Sequence, residues 1–277
     1  MRLSIIIVTW NVREQVRDCL LSLDVAHLPD DWEVILLDNA SQDETAAMVR
    51  ADFPSVHLIA SEENLGFGAG NNRAAAHARG DYLLFLNPDT LVNQGAIHAL
   101  LDFMDAHPRI GACSPQLLLP DGSPQPYTFG KDPEPRYLLR RGWQRLVHGR
   151  ALHNWDLDFP QQMSWVSGAA MLVRREAWEE VGGFDEGFFM YFEDNDLCLR
   201  MREQGWEIWY NPDVSIIHLG GQSAQHMAFS GRTYQQSLSY FYRKHYGRIP
   251  RAILRIGLAF YNRIQKLSIV KLQIQSK

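Results

Sequence analysis

The stretch Tyr82–Thr90 reads Tyr-Leu-Leu-Phe-Leu-Asn-Pro-Asp-Thr: five apolar residues that run straight into a polar turn. An apolar run of that length without alternation is a strand covered on both faces, the kind found in parallel sheets. Two upstream runs read the same way, Ser4–Thr9 and Trp32–Leu37. Each of the three ends on a polar tip: Thr9-Trp10-Asn11, Asp38-Asn39 and Asn87-Pro88-Asp89. Helical stretches lie between them. Glu14–Leu23 carries apolar residues at helical spacing, and Ser41 with Glu44 forms a capping box for a helix running towards Phe53. Gly70–Arg79 is Ala-rich and stops before Gly80, which reads as a helix-ending glycine. Strands alternating with helices give right-handed crossovers and a three-layer α/β domain with a mostly parallel central sheet. Ligands of open α/β sheets bind beyond the carboxyl ends of the strands, so the three tips locate a site before any function is assigned.

Further along, Val56–Ala60 is a weak strand, and Pro115 to Met163 is a long irregular connection rich in Pro, Gly, Arg and Trp. Loops of that length are uncommon unless functional or disordered. Regular structure resumes at Trp165–Arg174, Glu176–Val181, a helix over Asp194–Gln204 stopped by Gly205, and Trp206–Val214. The expected organisation is one body over residues 1–246, made of a first half (1–114) and a second half (115–246). A basic helical tail over 247–277 follows.

The 277 residues are 46% hydrophobic, a globular value, and carry a formal charge of −5. An acidic body of this kind excludes a protein that grips nucleic acid through its phosphates. The tail differs: from Gly247 to Lys277 there are seven Lys/Arg and no Asp/Glu. Ile249, Ile253, Ile256, Phe260, Ile264, Leu267, Val270 and Ile274 recur there at three-to-four spacing, making an amphipathic basic helix. It suits either an anionic membrane surface or a protein face. Charges interrupt every long apolar stretch, so no spanning helix is expected. Cys19, Cys113 and Cys198 match no disulfide framework or metal-ligand spacing. No signal peptide is read at the N-terminus. A cytoplasmic chain is the expectation, peripheral on the inner face of the plasma membrane where its tail meets lipid and not where the tail packs on protein.

Several residues at these tips can carry chemistry. Asp89 can hold Mg²⁺ or Mn²⁺ shared with substrate phosphates, or simply serve its turn. Asp38 can accept the N3–H of uracil or thymine, or cap a helix. Asn64-Leu-Gly-Phe-Gly-Ala-Gly-Asn-Asn72 is glycine-rich and opens a helix, which suits phosphate or sugar contact through Asn64, Gly66 and Asn71, or a tight turn. Glu193, Asp194 and Asp196 put three carboxylates within four positions, more than a helix N-terminus requires. One of them can act as general base for a hydroxyl, since like-charge neighbours raise proton affinity. His218 follows a strand-like segment and is either structural or a metal ligand.

Taken in order, Ser4–Asn11, Leu37–Thr45, Asn64–Asn72, Tyr82–Thr90, Trp165–Arg175, Gly182–Arg200 and His218–Ser223 resemble the family 2 glycosyltransferases, above all their bacterial rhamnosyltransferase-like members. The resemblance implies a nucleotide-binding fold of the glycosyltransferase A type and an inverting, metal-dependent transfer, with 1–246 the catalytic domain, 1–114 its nucleotide-binding half and 115–246 its acceptor-binding half. It puts pyrimidine reading on Asp38, with Thr9 and Asn11 on the same nucleotide-sugar site. The family's Asp-x-Asp motif falls on Asn87-Pro88-Asp89, so Asp89 is the implied metal ligand and Asn87, a departure from the motif, contacts nucleotide or supports the turn. Glu193-Asp194 matches the acceptor-side motif, with Asp194 the implied base. His218 matches a histidine that completes the metal site, and Trp165 with the turn at Gly168 matches a segment lining the pocket. The implied donor is dTDP-L-rhamnose and the implied acceptor a bacterial surface polysaccharide or lipid-linked glycan. A UDP-hexose or UDP-galactofuranose donor stays open, as do a nucleotidyltransferase and a non-catalytic nucleotide-sugar binding protein.

Overall fold

The computed structural model describes residues 1–138, 140, 144, 155–220 and 230–275. The N-terminal strands and helices alternate as the apolar runs require: β1 (Leu3–Thr9), α1 (Arg13–Ser22), β2 (Trp32–Asp38), α2 (Thr45–Asp52), β3 (His57–Ala60), α3 (Phe67–Ala75) and β4 (Tyr82–Leu86). These are followed by β5 (Thr90–Val92), α4 (Ala96–Ala106), β6 (Ile110–Leu118), β7 (Phe129–Gly130), β8 (Gln161–Gln162), β9 (Trp165–Val166) and β10 (Ala170–Arg174). Then come α5 (Arg175–Val181), α6 (Glu193–Glu203), β11 (Glu207–His218), α7 (Ser230–His245) and α8 (Arg248–Gln275).

Nine strands form the main sheet, in the order β3-β2-β1-β4-β10-β6-β11-β5, with β8 paired to β11. The first four are parallel, as expected. The other half is mixed, because β10 runs antiparallel to both β4 and β6 while β11 is parallel to β6. Chain order reverses between β1 and β4, the switch point at which such sheets open a crevice. Alternate residues of each strand feed two apolar layers. Ile5, Ile7, Leu36 and Leu84 pack with α1, α2 and α4 on one face; Ile6, Ile35, Leu83 and Phe85 pack with α3, α5 and α6 on the other. Both faces are covered, which is why these strands lack polar alternation.

Three local expectations are corrected. Ser41 caps no helix: its hydroxyl accepts the Asn11 N–H at 2.9 Å. Helix α2 begins later, at Thr45, whose N–H and O–H both go to Asp43 Oδ1. Gly80 does not end α3, which stops at Ala75. It lies instead where a Cβ would stand 2.4 Å from the Ser4 nitrogen, so β1 can pass only a glycine there. The connection after Pro115 is also less irregular than its composition implies. Strand β6 continues to Leu118, and a tight hairpin (Leu119 N–H to Ser123 C=O, 2.8 Å) returns the chain to a bridge between Leu118 and Pro124.

The chain divides into two compact units, residues 1–132 with 153–228, and residues 133–152 with 229–277. In the second unit α7 and α8 fold against one another, and Gln235 and Asn262 exchange two amide hydrogen bonds of 2.9 and 3.0 Å. On α8, Leu254 and Leu258 are half-buried, whereas Ile249, Ile253 and Ile256 are exposed. Among the described residues, no helix is long and apolar enough to cross a membrane.

Candidate active site

Asn87-Pro88-Asp89 leaves the carboxyl end of β4, and β5 begins at once. Its antiparallel pairing with β11 places His218 opposite Thr90. That register brings His218 Nε2 to 3.2 Å from Asp89 Oδ1, with both side chains buried. The Leu219 N–H donates to the Asp89 carbonyl at 2.9 Å and fixes the approach. His218 Nδ1 meets Gln125 Oε1 at 2.8 Å, and the Asn87 amide nitrogen stands 3.2 Å from Nε2. Asn87 also receives the Thr90 hydroxyl on its carbonyl, so it builds the turn as well as flanking the imidazole. One carboxylate oxygen and one imidazole nitrogen converge here. A small ligand set of this kind suits a hard divalent ion that keeps waters and takes its other oxygens from phosphates, with the imidazole favouring Mn²⁺ over Mg²⁺. Among the described residues no third His, Cys, Asp or Glu completes a group of three.

The second corner is built at the tips of β1 and β2, where the register sets Thr9 beside Asp38. Asp38 is buried and accepts the Ser41 N–H at 3.3 Å. Burial raises its pKa, against the lowering effect of the Ser41 contacts. Thr9 is 1% exposed, and its hydroxyl has no hydrogen-bond partner among the described residues. Asn11, at φ 53°, is a loop-building residue: its N–H goes to Ser41 and its Oδ1 takes the Gln42 N–H at 2.7 Å.

Sequence reasoning missed Asn39. Its amide nitrogen donates to Asn64 Oδ1 (3.0 Å) and the Gly66 carbonyl (3.1 Å), and its oxygen accepts the Leu65 N–H (2.8 Å). One side chain thus folds the glycine-rich segment onto the end of β2. Gly66 has φ +82°, and a Cβ there would stand 2.5 Å from the Phe189 carbonyl oxygen. Asn71 is not directed at the site: its amide donates to the Phe67 carbonyl one turn back in α3. The neighbouring Asn72, also missed, exchanges hydrogen bonds with the Phe184 backbone and so ties α3 to the segment that leads into α6.

The third corner comes from β10 and α6. The Asn87 N–H donates to the Ala169 carbonyl (2.9 Å), and the Gly168 N–H donates to Asp194 Oδ2 (3.3 Å). A two-residue bridge therefore joins the β4 tip to Asp194. Phe67 closes on Gly168, where a Cβ would meet its ring at 3.1 Å. Tyr191 and Phe192 both hold left-handed φ values (70° and 69°) just before α6, strain that the surroundings must hold.

The acidic cluster then splits by environment. Asp196 is wholly buried and paired with Arg200 at 2.7 Å, and that guanidinium also caps the Val181 and Gly183 carbonyls; this carboxylate is structural. Asp194 is partly exposed, and burial pushes its pKa up to about 6 against the Gly168 and Asn195 N–H groups. Glu193 is 6% exposed, with Oε2 unpaired among the described residues; burial first, then the Asp194 charge, hold it well above the usual carboxylate range. Asn195, in the amide orientation that satisfies both neighbours, donates to Asp194 Oδ1 and accepts from the Trp165 indole, each at 3.1 Å. Trp165 also donates to the Lys131 carbonyl, and it is tied to Asp194 through Asn195. Residues 221–223 of the expected His218–Ser223 segment lie outside the described residues.

Asp38 ends β2, Asp89 follows β4 and Asp194, in the first turn of α6, is hydrogen-bonded to Gly168 just before β10; in the sheet β1 and β4 lie between β2 and β10. Residues 4–181 match the sequence model of Glycosyl transferase family 2. The chain belongs to that family. Residues 149–218 also match a model described as the N-terminal domain of galactosyltransferase, a range that takes in Glu193, Asp194 and His218. This family 2 glycosyltransferase is 33% identical over 251 residues to the N-acetylglucosaminyl-diphospho-decaprenol L-rhamnosyltransferase of Mycobacterium tuberculosis, covering 82% of this chain and 80% of that one. It is 30% identical over 162 residues to the rhamnosyltransferase WbbL of Escherichia coli strain K12, covering 55% and 60%. Among solved structures, a mannosyltransferase from Pyrobaculum calidifontis in complex with GDP-Man and Mn²⁺ superposes with a TM-score of 0.60 at 20% identity, over 92% of this chain and 68% of that one. GalNAc-T7 with UDP, GalNAc and Mn²⁺ gives 0.62 at 15% identity, over 86% and 48%. The family 2 chain has the glycosyltransferase A fold.

Proposed function

We propose that this glycosyltransferase is an inverting, divalent-cation-dependent enzyme that moves L-rhamnose from dTDP-L-rhamnose to a hydroxyl of a lipid-linked bacterial glycan. The observation that carries the chemistry is Asp194: a partly exposed carboxylate with its pKa raised to about 6, joined to the Asn87–Asp89 corner through Gly168 and Ala169. A base tuned close to the working pH takes a proton efficiently in the transition state. The acceptor O–H gives its proton to Asp194 as its oxygen bonds to the anomeric carbon. The bond from that carbon to the diphosphate oxygen breaks, and the electron pair leaves on the diphosphate. One displacement inverts the anomeric configuration.

Asp89 and His218 would hold Mn²⁺ or Mg²⁺, which when bound neutralises charge on the departing diphosphate. Asp38 reads the pyrimidine N3–H, and the unpartnered Thr9 hydroxyl is available to the nucleotide beside it. A rhamnosyl donor is supported by two relatives named as rhamnosyltransferases, one of which acts on a decaprenol-linked sugar. The exposed isoleucines of the basic helix α8 support a place on the anionic inner face of the plasma membrane, where such acceptors lie.

The test is a thermal-shift screen of dTDP-L-rhamnose against UDP-hexoses and UDP-galactofuranose, each with and without Mn²⁺. A ligand that binds only the native state raises its stability by mass action. Metal-dependent stabilisation by dTDP-L-rhamnose, and release of dTDP on adding acceptor, is the expected result. Preference for a UDP sugar moves the donor assignment, and stabilisation without turnover of any sugar removes the enzymatic one.

A further inference from the structure

Gln125 lies outside every segment that carries the family resemblance, yet it is the residue that makes contact with the far side of the His218 ring. Its position follows from turn chemistry. Pro120-Asp121-Gly122-Ser123 closes the hairpin after β6: Asp121 Oδ1 takes the Ser123 N–H and O–H, and Gly122 supplies φ +81°. The returning chain is fixed by the Gln125 N–H on the Leu117 carbonyl, at 2.8 Å. Leu118 pairs with Ile217, so the hairpin delivers the Gln125 side chain next to His218.

We infer that Gln125 is a positioning residue that selects the His218 tautomer and thereby makes the Asp89–His218 pair competent for a divalent cation. A carboxamide oxygen can only accept, so the 2.8 Å contact puts the ring proton on Nδ1. Nε2 is left with a bare lone pair, 3.2 Å from Asp89 Oδ1. Two acceptors at that distance repel unless a proton or a cation sits between them. The Asn87 amide, 3.2 Å from Nε2, donates to the same lone pair and favours the same tautomer. Metal-binding histidines generally donate their other N–H in this way, which fixes both ring orientation and tautomer.

This inference rests on the reading of Asp89 and His218 as the cation site, and its test separates the two. ¹⁵N chemical shifts of the His218 imidazole, assigned against His218→Gln, are measured without metal in wild type, Gln125→Leu and Gln125→Glu. Mn²⁺ affinity is read by electron paramagnetic resonance in the presence of dTDP and of UDP. Wild type is expected to hold Nδ1–H, and Gln125→Glu, which also accepts, to keep it. Gln125→Leu is expected to move the ring towards Nε2–H and to weaken Mn²⁺ by about 10- to 100-fold. An unchanged tautomer and Mn²⁺ affinity in Gln125→Leu overturns the inference. If Gln125→Leu fails to fold, loss of Nδ1–H or of Mn²⁺ binding in Gln125→Glu overturns it instead. Wild type that binds no Mn²⁺ with either nucleotide overturns the cation site, and the shifts then judge the tautomer alone.

Discussion

Asp194 and Glu193 are adjacent acids whose surroundings give them different tasks. Asp194 must be ionised to accept a proton, and its pKa is about 6. The expected kcat/KM therefore rises with unit slope as pH climbs towards 6 and levels above it; a flat profile from pH 5 to 8 would remove Asp194 as base. Asp194→Asn should lower kcat by about 10²- to 10⁴-fold, the usual worth of general-base catalysis, with donor affinity from calorimetry unchanged. Burial, and then the charge on Asp194, hold the Glu193 proton and raise its pKa well above the usual carboxylate range. Glu193→Gln mimics that neutral acid, so the acidic limb of the profile should stay in place. Stability should respond differently. A folded-state pKa above the unfolded value means that the native state holds its proton more tightly, and stability is lost as pH rises through the folded pKa. Gln does not titrate, so denaturant melts should show the variant gaining on wild type with pH, on the order of 1 kcal/mol per pH unit within that window. A gap that does not change as pH rises above the ordinary carboxylate range would contradict the raised pKa. The candidate acids could be picked out because each follows an apolar run, and the Asp196–Arg200 pairing could have been read from its four-residue spacing. Asn39, Asn72 and Gln125 were not legible, since they serve groups distant in the chain, many of them backbone, that no local pattern reveals.

Elements were readable to the extent that their signal was local. The apolar runs of β1, β2 and β4 gave their position and parallel pairing, because burial on both faces removes polar alternation. The antiparallel course of β10 depends on a long connection and leaves no mark in its five residues. Three-residue β5 is polar-edged and too short for periodicity, although it sets the register that brings His218 to Asp89. Gly80 shows the same limit: the sequence offered a helix-ending glycine, and packing against β1 is the actual constraint. Comparing two glycines separates close approach from backbone conformation. Gly80→Ala drives a methyl into the β1 backbone, with Leu3 C at 2.5 Å as well as Ser4 N at 2.4 Å, and should cost about 3 kcal/mol or more, at the upper end for overpacking. Gly122→Ala meets nothing within 4 Å and bears only the cost of φ +81°, about 1–2 kcal/mol. Urea unfolding of both variants checks this, and equal losses would place the Gly80 constraint elsewhere.

Across the whole molecule, charge is segregated: residues 247–277 carry seven Lys/Arg and no Asp/Glu in a chain of net charge −5. Self-association through that segment would bring two cationic helices together without a compensating acid. An anionic lipid surface meets both features of α8, its cations and its isoleucines at 75% (Ile249), 41% (Ile253) and 72% (Ile256) exposure. Each basic residue near such a surface contributes about 1 kcal/mol at most, decaying within a Debye length, so binding should be strong at low salt and weaken as salt rises. The 277-residue chain is therefore expected to co-sediment with vesicles containing phosphatidylglycerol and to stay in the supernatant with neutral vesicles. Replacing Ile249 and Ile256 together by Glu should release it from the anionic vesicles while leaving transfer to a soluble acceptor analogue unchanged, because neither residue belongs to the strand-end site. Sedimentation with neither vesicle type at low salt, or release that also abolishes transfer to the soluble analogue, would assign the isoleucine face to packing within the protein.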